Sequence, residues 1–349
     1  MTLRWGIIGC GDVCEVKSGP ALYKARGSSL SIVMRRNGER AEDFARRHGV
    51  PRFTTRAEEV ITHPEVDIVY VATPPGEHEA YALRVAEAGK PCYVEKPMAR
   101  SAAECRRMRE AFSRAGVPLF VAYYRRALPR FLEVRRILLA GAIGELLTVS
   151  HVYQGRKNPQ APPGAAPAGW REDVPQAGGG LFMDLASHVV DILDFLLGPL
   201  LDVRGHAARL SVPLHARRGL AEDTVVASFR TTHGALGTLR YQFHTSGSAD
   251  RLELVGTRGS LSLSVFGQEP LELVTADARE QITTEHPAHV HQPLVQTIVD
   301  ELAGSGHCPS TAESAERASR VLDDILAAYY GGRDDAFWQR AATWPGPTR

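Results

Sequence analysis

Leu3-Arg4-Trp5-Gly6-Ile7-Ile8-Gly9-Cys10-Gly11-Asp12-Val13-Cys14 opens the chain with a short apolar run, interrupted by one arginine, that meets a glycine turn. The run reads as a strand entering a core, and the turn after it leads into a helix. Gly9 and Gly11 hold the first two positions of the dinucleotide-binding fingerprint: one permits the tight turn, the other lets a pyrophosphate approach the backbone. A helix beginning here adds N–H donors and a positive dipole end. Cys14 takes the third position in place of Gly or Ala. Gly9, Cys10, Gly11, Asp12 and Val13 are the candidate phosphate cradle. Nucleotide binders and methyl-donor binders share such a turn.

Working outward, strands and helices alternate. Strands are expected at 30–34, 52–54, 66–72, 92–94 and 117–122, with helices at 38–48, 57–61, 77–88 and 101–115 between them. Ser101 with Glu104 forms a capping box for the last helix, which closes at Gly116. This alternation means a parallel, doubly wound sheet, whose ligand sits just beyond the carboxyl ends of the strands. Three strand ends therefore matter. After the second come Arg35 and Arg36, 21 and 22 residues past Cys14, where an acidic residue would hold an NAD ribose and arginine suits a 2′-phosphate. That spacing favours NADP(H) over NAD(H), against the plain alternative of two surface arginines. After the fourth, Thr73-Pro74-Pro75-Gly76 cannot continue a strand and forms the next crevice loop, with His78 close behind. After the fifth comes Glu95-Lys96-Pro97, a lysine anchored by a buried strand yet delivered at its exit.

Composition bounds the function. The 349 residues carry 44% hydrophobic and 23% charged side chains, ordinary globular usage with room for two domains. A formal charge of +1 argues against a nucleic-acid or membrane-surface partner. No apolar run approaches a membrane span, and the immediate entry into a strand leaves no signal peptide to expect. Five scattered cysteines without a CxxC pair point to thiols in a reducing cytoplasm, and no ligand set for a metal is completed.

The second half changes pattern. Residues 128–139 read as a helix and 146–153 as a strand; the proline-rich stretch 154–170 reads as a mobile loop over the site, against the alternative of a plain surface excursion. Gly178-Gly179-Gly180 then precedes a helix whose Leu181, Leu185, Val189, Ile192 and Leu196 make a core-facing stripe. Asp184 and His188, four apart, share one face of it; His exchanges protons near neutrality and a nearby carboxylate orients it. Strands follow at 201–210, 224–231 and 235–244, then a hairpin at 251–265 with alternating apolar residues. Helices are expected at 290–302 and from a Ser310/Glu313 cap to Tyr330, and the tail 331–349 holds Trp338 and Trp344.

Gly9-Cys10-Gly11, Ala72-Thr73-Pro74-Pro75 with His78, Glu95-Lys96-Pro97, Tyr124-Arg125-Arg126 and the block from Gly178 to His188, in that order, resemble the glucose–fructose oxidoreductase / inositol dehydrogenase / MocA family of NAD(P)-dependent oxidoreductases. The resemblance implies an N-terminal Rossmann domain, drawn here as residues 1–124. It also implies a C-terminal α/β domain, 125–330, with an open, mostly antiparallel sheet that serves as a homodimer or homotetramer interface. It further implies hydride transfer between a nicotinamide and a hydroxyl or carbonyl carbon of a sugar, cyclitol or related small molecule. Lys96, Asp184 and His188 would be catalytic; Tyr124, Arg126, Trp170 and Arg171 would contact substrate; Glu95 would face the cofactor. A non-catalytic nucleotide-sensing relative is the rival reading, disfavoured because Lys96 and His188 are both present.

Overall fold

The structure, a computed structural model, describes residues 2–155, 169–339 and 344. Its first sheet is built from β1 (Leu3–Ile8), β2 (Ser28–Met34), β3 (Arg52–Thr54), β4 (Ile68–Val71), β5 (Cys92–Val94) and β6 (Leu119–Val121). The order is β3-β2-β1-β4-β5-β6 with every neighbour parallel, so the topology reverses between β1 and β4. Helices α1 (Asp12–Val16), α2 (Gly19–Lys24), α3 (Gly38–His48), α4 (Ala57–Ile61), α5 (Pro75–Glu87) and α6 (Ala102–Ala115) connect the strands. Every residue of β4, β5 and β6 is buried, as continuous apolar strands covered on both faces must be.

Local chemistry sets the helix ends. Asn37 accepts from the Arg40 N–H to start α3, and Gly49 closes it in the left-handed region at φ +66°. The Ser101 hydroxyl accepts from the Glu104 N–H, 3.4 Å away, at the start of α6. The return half of the expected box differs: the Glu104 carboxylate takes the backbone N–H and the guanidinium of Arg100, because a full cation outbids one more amide. The helix after the glycine turn is also split in two. Pro20 cannot donate to a preceding turn, and a Cβ on Gly19 would sit 2.1 Å from the Cys14 carbonyl oxygen, so the chain breaks and folds back there.

The second sheet follows α7 (Pro129–Leu139). It comprises β7 (Leu146–Gly155), then, after α8 (Val174–Ala177) and α9 (Leu181–Leu197), β8 (Leu200–Ala208), β9 (Thr224–Thr231), β10 (Leu236–Phe243), β11 (Ala249–Gly256), β12 (Gly259–Leu263), β13 (Leu271–Thr275) and β14 (Arg279–Ile282). Its order is β14-β13-β12-β11-β7-β10-β9-β8, antiparallel throughout except for the β7/β10 pair. Strict alternation of buried and exposed residues along β9 and β10 shows one packed and one open face. β13 and β14 carry no sequence signal, being short and only partly buried. Of the stretch expected as a mobile loop, residues 156–168 lie outside the described residues.

Helices α10 (Gln292–Leu302), α11 (Ala312–Tyr330) and α12 (Asp335–Gln339) follow among the described residues. Two compact units result: residues 1–128 with 287–316, and 129–286 with 317–349. A reading in continuous domains assigns 287–316 to the second half; packing groups it with the first. Phe120 of β6 bridges Thr311, the Val121 N–H donates to the Ser310 carbonyl, and the Ser310 hydroxyl donates 2.7 Å to the Val121 carbonyl. Ser310 is thus occupied by the sheet and does not cap α11; the Thr311 hydroxyl takes that place, accepting from the Ser314 N–H.

Candidate active site

In the first unit the loops leaving β1, β2, β4 and β5 emerge at the carboxyl edge of the parallel sheet, on both sides of its switch point. Gly9 has φ +89°, and a Cβ there would meet the Thr73 side chain at 2.9 Å and the Ala72 carbonyl carbon at 3.1 Å, so the β4 loop itself demands glycine. Gly11 differs. A Cβ on it would find nothing nearer than 3.9 Å, which leaves its front open for a ligand to reach the backbone. Cys10 and Cys14 are fully buried, and burial pushes the Cys10 thiol up to about 11. Asp12 is exposed and Val13 half-buried.

Arg35 turns back toward this cradle, its Nη1 donating 3.4 Å to the Cys10 carbonyl oxygen. Arg36 instead points to solvent, 80% exposed, with Nη1 3.6 Å from Glu77 in the first turn of α5. The structure therefore brings one arginine of the pair to the glycine turn. Across the switch point, Thr73 Oγ1 is buried with no hydrogen-bond partner among the described residues, although Pro74 beside it is half-buried. A buried hydroxyl left unmatched costs about 1–3 kcal/mol, which a polar ligand at this loop would recover. The open front of Gly11 and this orphaned hydroxyl together fit a dinucleotide.

His78 is sealed from solvent, so its ring clips loops together and does not line the crevice. Nε2 lies 2.7 Å from the Thr73 carbonyl oxygen, and Nδ1 lies 3.1 and 3.2 Å from those of Pro97 and Met98. Burial lowers its pKa to about 4, and burial likewise lowers His291 to about 3. Both folded values lie below the usual 6.5, so their stabilisation is complete above about pH 6.5 and drains as pH falls through 6.5 toward 4. Each ring accounts for on the order of 3 kcal/mol over that window. Denaturant midpoints at pH 7.5 and pH 5 should differ, and His78→Gln should shrink the difference; an unchanged difference would refute the assignment.

Glu95-Lys96-Pro97 leaves β5 with a cis bond between Lys96 and Pro97. Glu95 is buried, accepting from the Tyr70 hydroxyl on one oxygen and from the Lys96 N–H at 3.1 Å on the other; burial raises its pKa. Lys96 is half-buried beside it. His291, which no sequence signal marks, completes the group: Nδ1 is 3.0 Å from the Tyr93 hydroxyl, Nε2 is 3.8 Å from Glu95, and the ring lies 4.5 Å from that of Tyr124. Arg126 donates to the Pro309 carbonyl oxygen at 3.2 Å, so Tyr124 and Arg126 both engage the segment that returns to this unit.

The second unit holds the other candidates. The glycine block ahead of α9 is pinned on both sides. Both Glu222 oxygens accept from the Gly180 N–H at 3.0 Å, the Tyr330 hydroxyl donates to Glu222, and Arg333 donates to the Gly178 carbonyl while pairing with Asp323. A Cβ on Gly180 would lie 2.7 Å from the Glu222 carbonyl oxygen, so only glycine lets the segment ahead of β9 come this close. One turn into α9, Asp184 sits 3.3 Å from Arg171, whose guanidinium stacks 4.5 Å from the Trp170 ring. His188 is buried, with its ring 6.2 Å from Phe266. Asp194 pairs with Arg317 at 2.8 and 2.9 Å, away from this group. Among the described residues no cluster of three or more His, Cys, Asp or Glu side chains is arranged to hold a metal ion, and no helix is long and apolar enough to cross a membrane.

Comparison with known proteins agrees with both halves. Residues 3–123 match the oxidoreductase family with an NAD-binding Rossmann fold, and residues 131–262 match the GFO/IDH/MocA C-terminal domain. Oxidoreductase P35 of Formosa agariphila is 33% identical over 321 residues, 92% of this chain and 97% of its own. A 1,5-anhydro-D-fructose reductase of Ensifer adhaerens is 29% identical, over 89% of this chain and 91% of its own. Among solved structures, a levoglucosan dehydrogenase in complex with NADH and levoglucosan superposes with a TM-score of 0.79 over 93% of this chain and 96% of its own, at 24% identity, which speaks for the fold.

Proposed function

Because the chain belongs to the GFO/IDH/MocA family of NAD-binding oxidoreductases, we propose that it interconverts a hydroxyl and a carbonyl on a sugar, cyclitol or related small molecule with NADP(H) as the preferred cofactor. The observation that carries this reading is the retention of both reacting stations: Lys96 leaving β5 beside the nucleotide cradle, and Asp184 with His188 on one face of α9. Gly9, Cys10, Gly11, Asp12 and Val13 would hold the pyrophosphate, with Thr73, Pro74 and Glu95 toward the nicotinamide end. The bound nicotinamide supplies or accepts the hydride. In the reductive direction His188 delivers a proton to the developing alkoxide, and Asp184 steadies its ring. Lys96 supplies a positive charge to the reacting oxygen or a neighbouring one. Arg171 and Trp170, already at Asp184, hold neighbouring hydroxyls, with Tyr124 and Arg126 as further contacts.

A panel of sugars, cyclitols and their keto forms with both nucleotides, read by absorbance of the reduced nicotinamide, tests the reaction class. The NADP(H) preference is supported by Arg35, which stands at the cradle. Arg35→Ala should raise KM for NADPH about 10- to 100-fold, the worth of a charge-assisted contact, and leave NADH within about threefold. A tenfold preference of the parent protein for NADH would overturn it. Leu201, Val226 and Leu236, each 39–63% exposed on adjoining strands β8, β9 and β10, support a homodimer or homotetramer through the open sheet. Five free, buried cysteines suit a reducing cytoplasm.

A further inference from the structure

Beside His188 the second sheet carries an aromatic layer that the mechanism above does not use. Tyr153 lies with its ring centre 5.8 Å from Tyr241, 5.7 Å from Phe243 and 5.6 Å from Phe266, the last edge-to-face at 78°. Phe182 meets Tyr241 at 5.0 Å from the α9 side. Phe182, Tyr241 and Phe243 are closed off, at 4% exposure or less, and serve as core. Tyr153 and Phe266 keep part of their surface open, and Phe266 is the ring that faces His188, at 73°.

Both rings are held in place by dedicated features. A Cβ on Gly155 would come within 2.9 Å of the Tyr153 hydroxyl and 3.0 Å of its ring, so glycine at 155 lets the ring lie back over its own strand. Phe266 follows β12 in a turn tied to Asp250: its N–H donates to the carboxylate at 2.6 Å, the Ser264 hydroxyl donates to the same oxygen, and the fully buried His151 holds the other oxygen at 3.1 Å. Three partners on one carboxylate fix where Phe266 points.

We infer that Tyr153 and Phe266 form an aromatic wall that determines specificity, taking the C–H face of a six-membered ring substrate whose reacting carbon is presented to His188. This rests on the assignment of His188 to the reaction. A pyranose or cyclitol with equatorial hydroxyls presents axial C–H bonds on the faces of its rigid ring, and an aromatic face or edge packs against them and excludes water there. An open-chain polyol has no rigid face to offer, so the wall separates ring substrates from their open-chain counterparts.

The test compares oxidation of myo-inositol and 1,5-anhydro-D-glucitol with that of D-glucitol. Phe266→Leu and Tyr153→Leu should each raise KM for the two ring substrates about tenfold and move D-glucitol less than about twofold. Tyr153→Phe, which restores the ring without the hydroxyl, should return KM to within about twofold of the parent. Gly155→Ala, which keeps both aromatic residues but crowds Tyr153, should reproduce the selectivity loss. Equal losses on ring and open-chain substrates, or none on either, overturn the wall. His188→Ala measured alongside separates the two claims: turnover that survives it removes the assignment of His188 itself, whereas a flat selectivity profile removes only the wall.

Discussion

Lys96→Met and His188→Asn should each lower kcat by about 10²- to 10⁴-fold while nucleotide affinity stays within about threefold. Methionine keeps the length and bulk of the lysine stem, so what is lost is the charge on the reacting oxygen. Asparagine keeps a polar side chain near the imidazole position and loses the ring proposed to pass the proton. His188 is buried on a helix whose start is fixed by Glu222, and Lys96 leaves a strand buried at every residue, so neither change should disturb the other unit's fold. Steady-state rates on the best substrate, with fluorescence titration of NADPH and NADH, give both quantities. Near-parental turnover by either variant ends the proposed mechanism.

Glu222→Ala should cost about 2–4 kcal/mol of stability. It removes the acceptor of two buried donors at once, the Gly180 N–H and the Tyr330 hydroxyl, while Arg333 keeps the Gly178 carbonyl and Asp323. Burial already raises the Glu222 pKa, so Gln, which keeps an acceptor oxygen without charge, should recover roughly half of the loss. The denaturant midpoint measures both variants. Because Gly180 precedes α9, Glu222→Ala should also lower kcat in what folds; a loss of under about 1 kcal/mol would mean that the glycine block is held by something else.

Much of the first unit is readable along the chain because each element is specified by neighbours in sequence. Asn37 and Gly49 bound α3, Ser101 and Gly116 bound α6, and the apolar runs of β4 and β5 need no distant information. Asp184 and His188 are legible for the same reason, four apart on an amphipathic helix. His291, Glu222, Asp250 and Arg333 are not, since each gains its role from a partner far along the chain, and an isolated His or Glu looks alike on a surface and in a core. The second arginine shows the limit from the other direction: Arg35 and Arg36 are equivalent in sequence, yet strand geometry sends one to the cradle and the other to Glu77.

The return of residues 287–316 to the first unit bears on the order in which the molecule is made. A chain cut after Leu128 would contain every glycine of the cradle, Thr73 and Lys96, and still lack His291 against Glu95 and Tyr93, and Thr311 beside Phe120. During synthesis those pieces leave the ribosome only after the whole second sheet has been translated. The cofactor half, first to begin, is therefore completed only after the second sheet has been made.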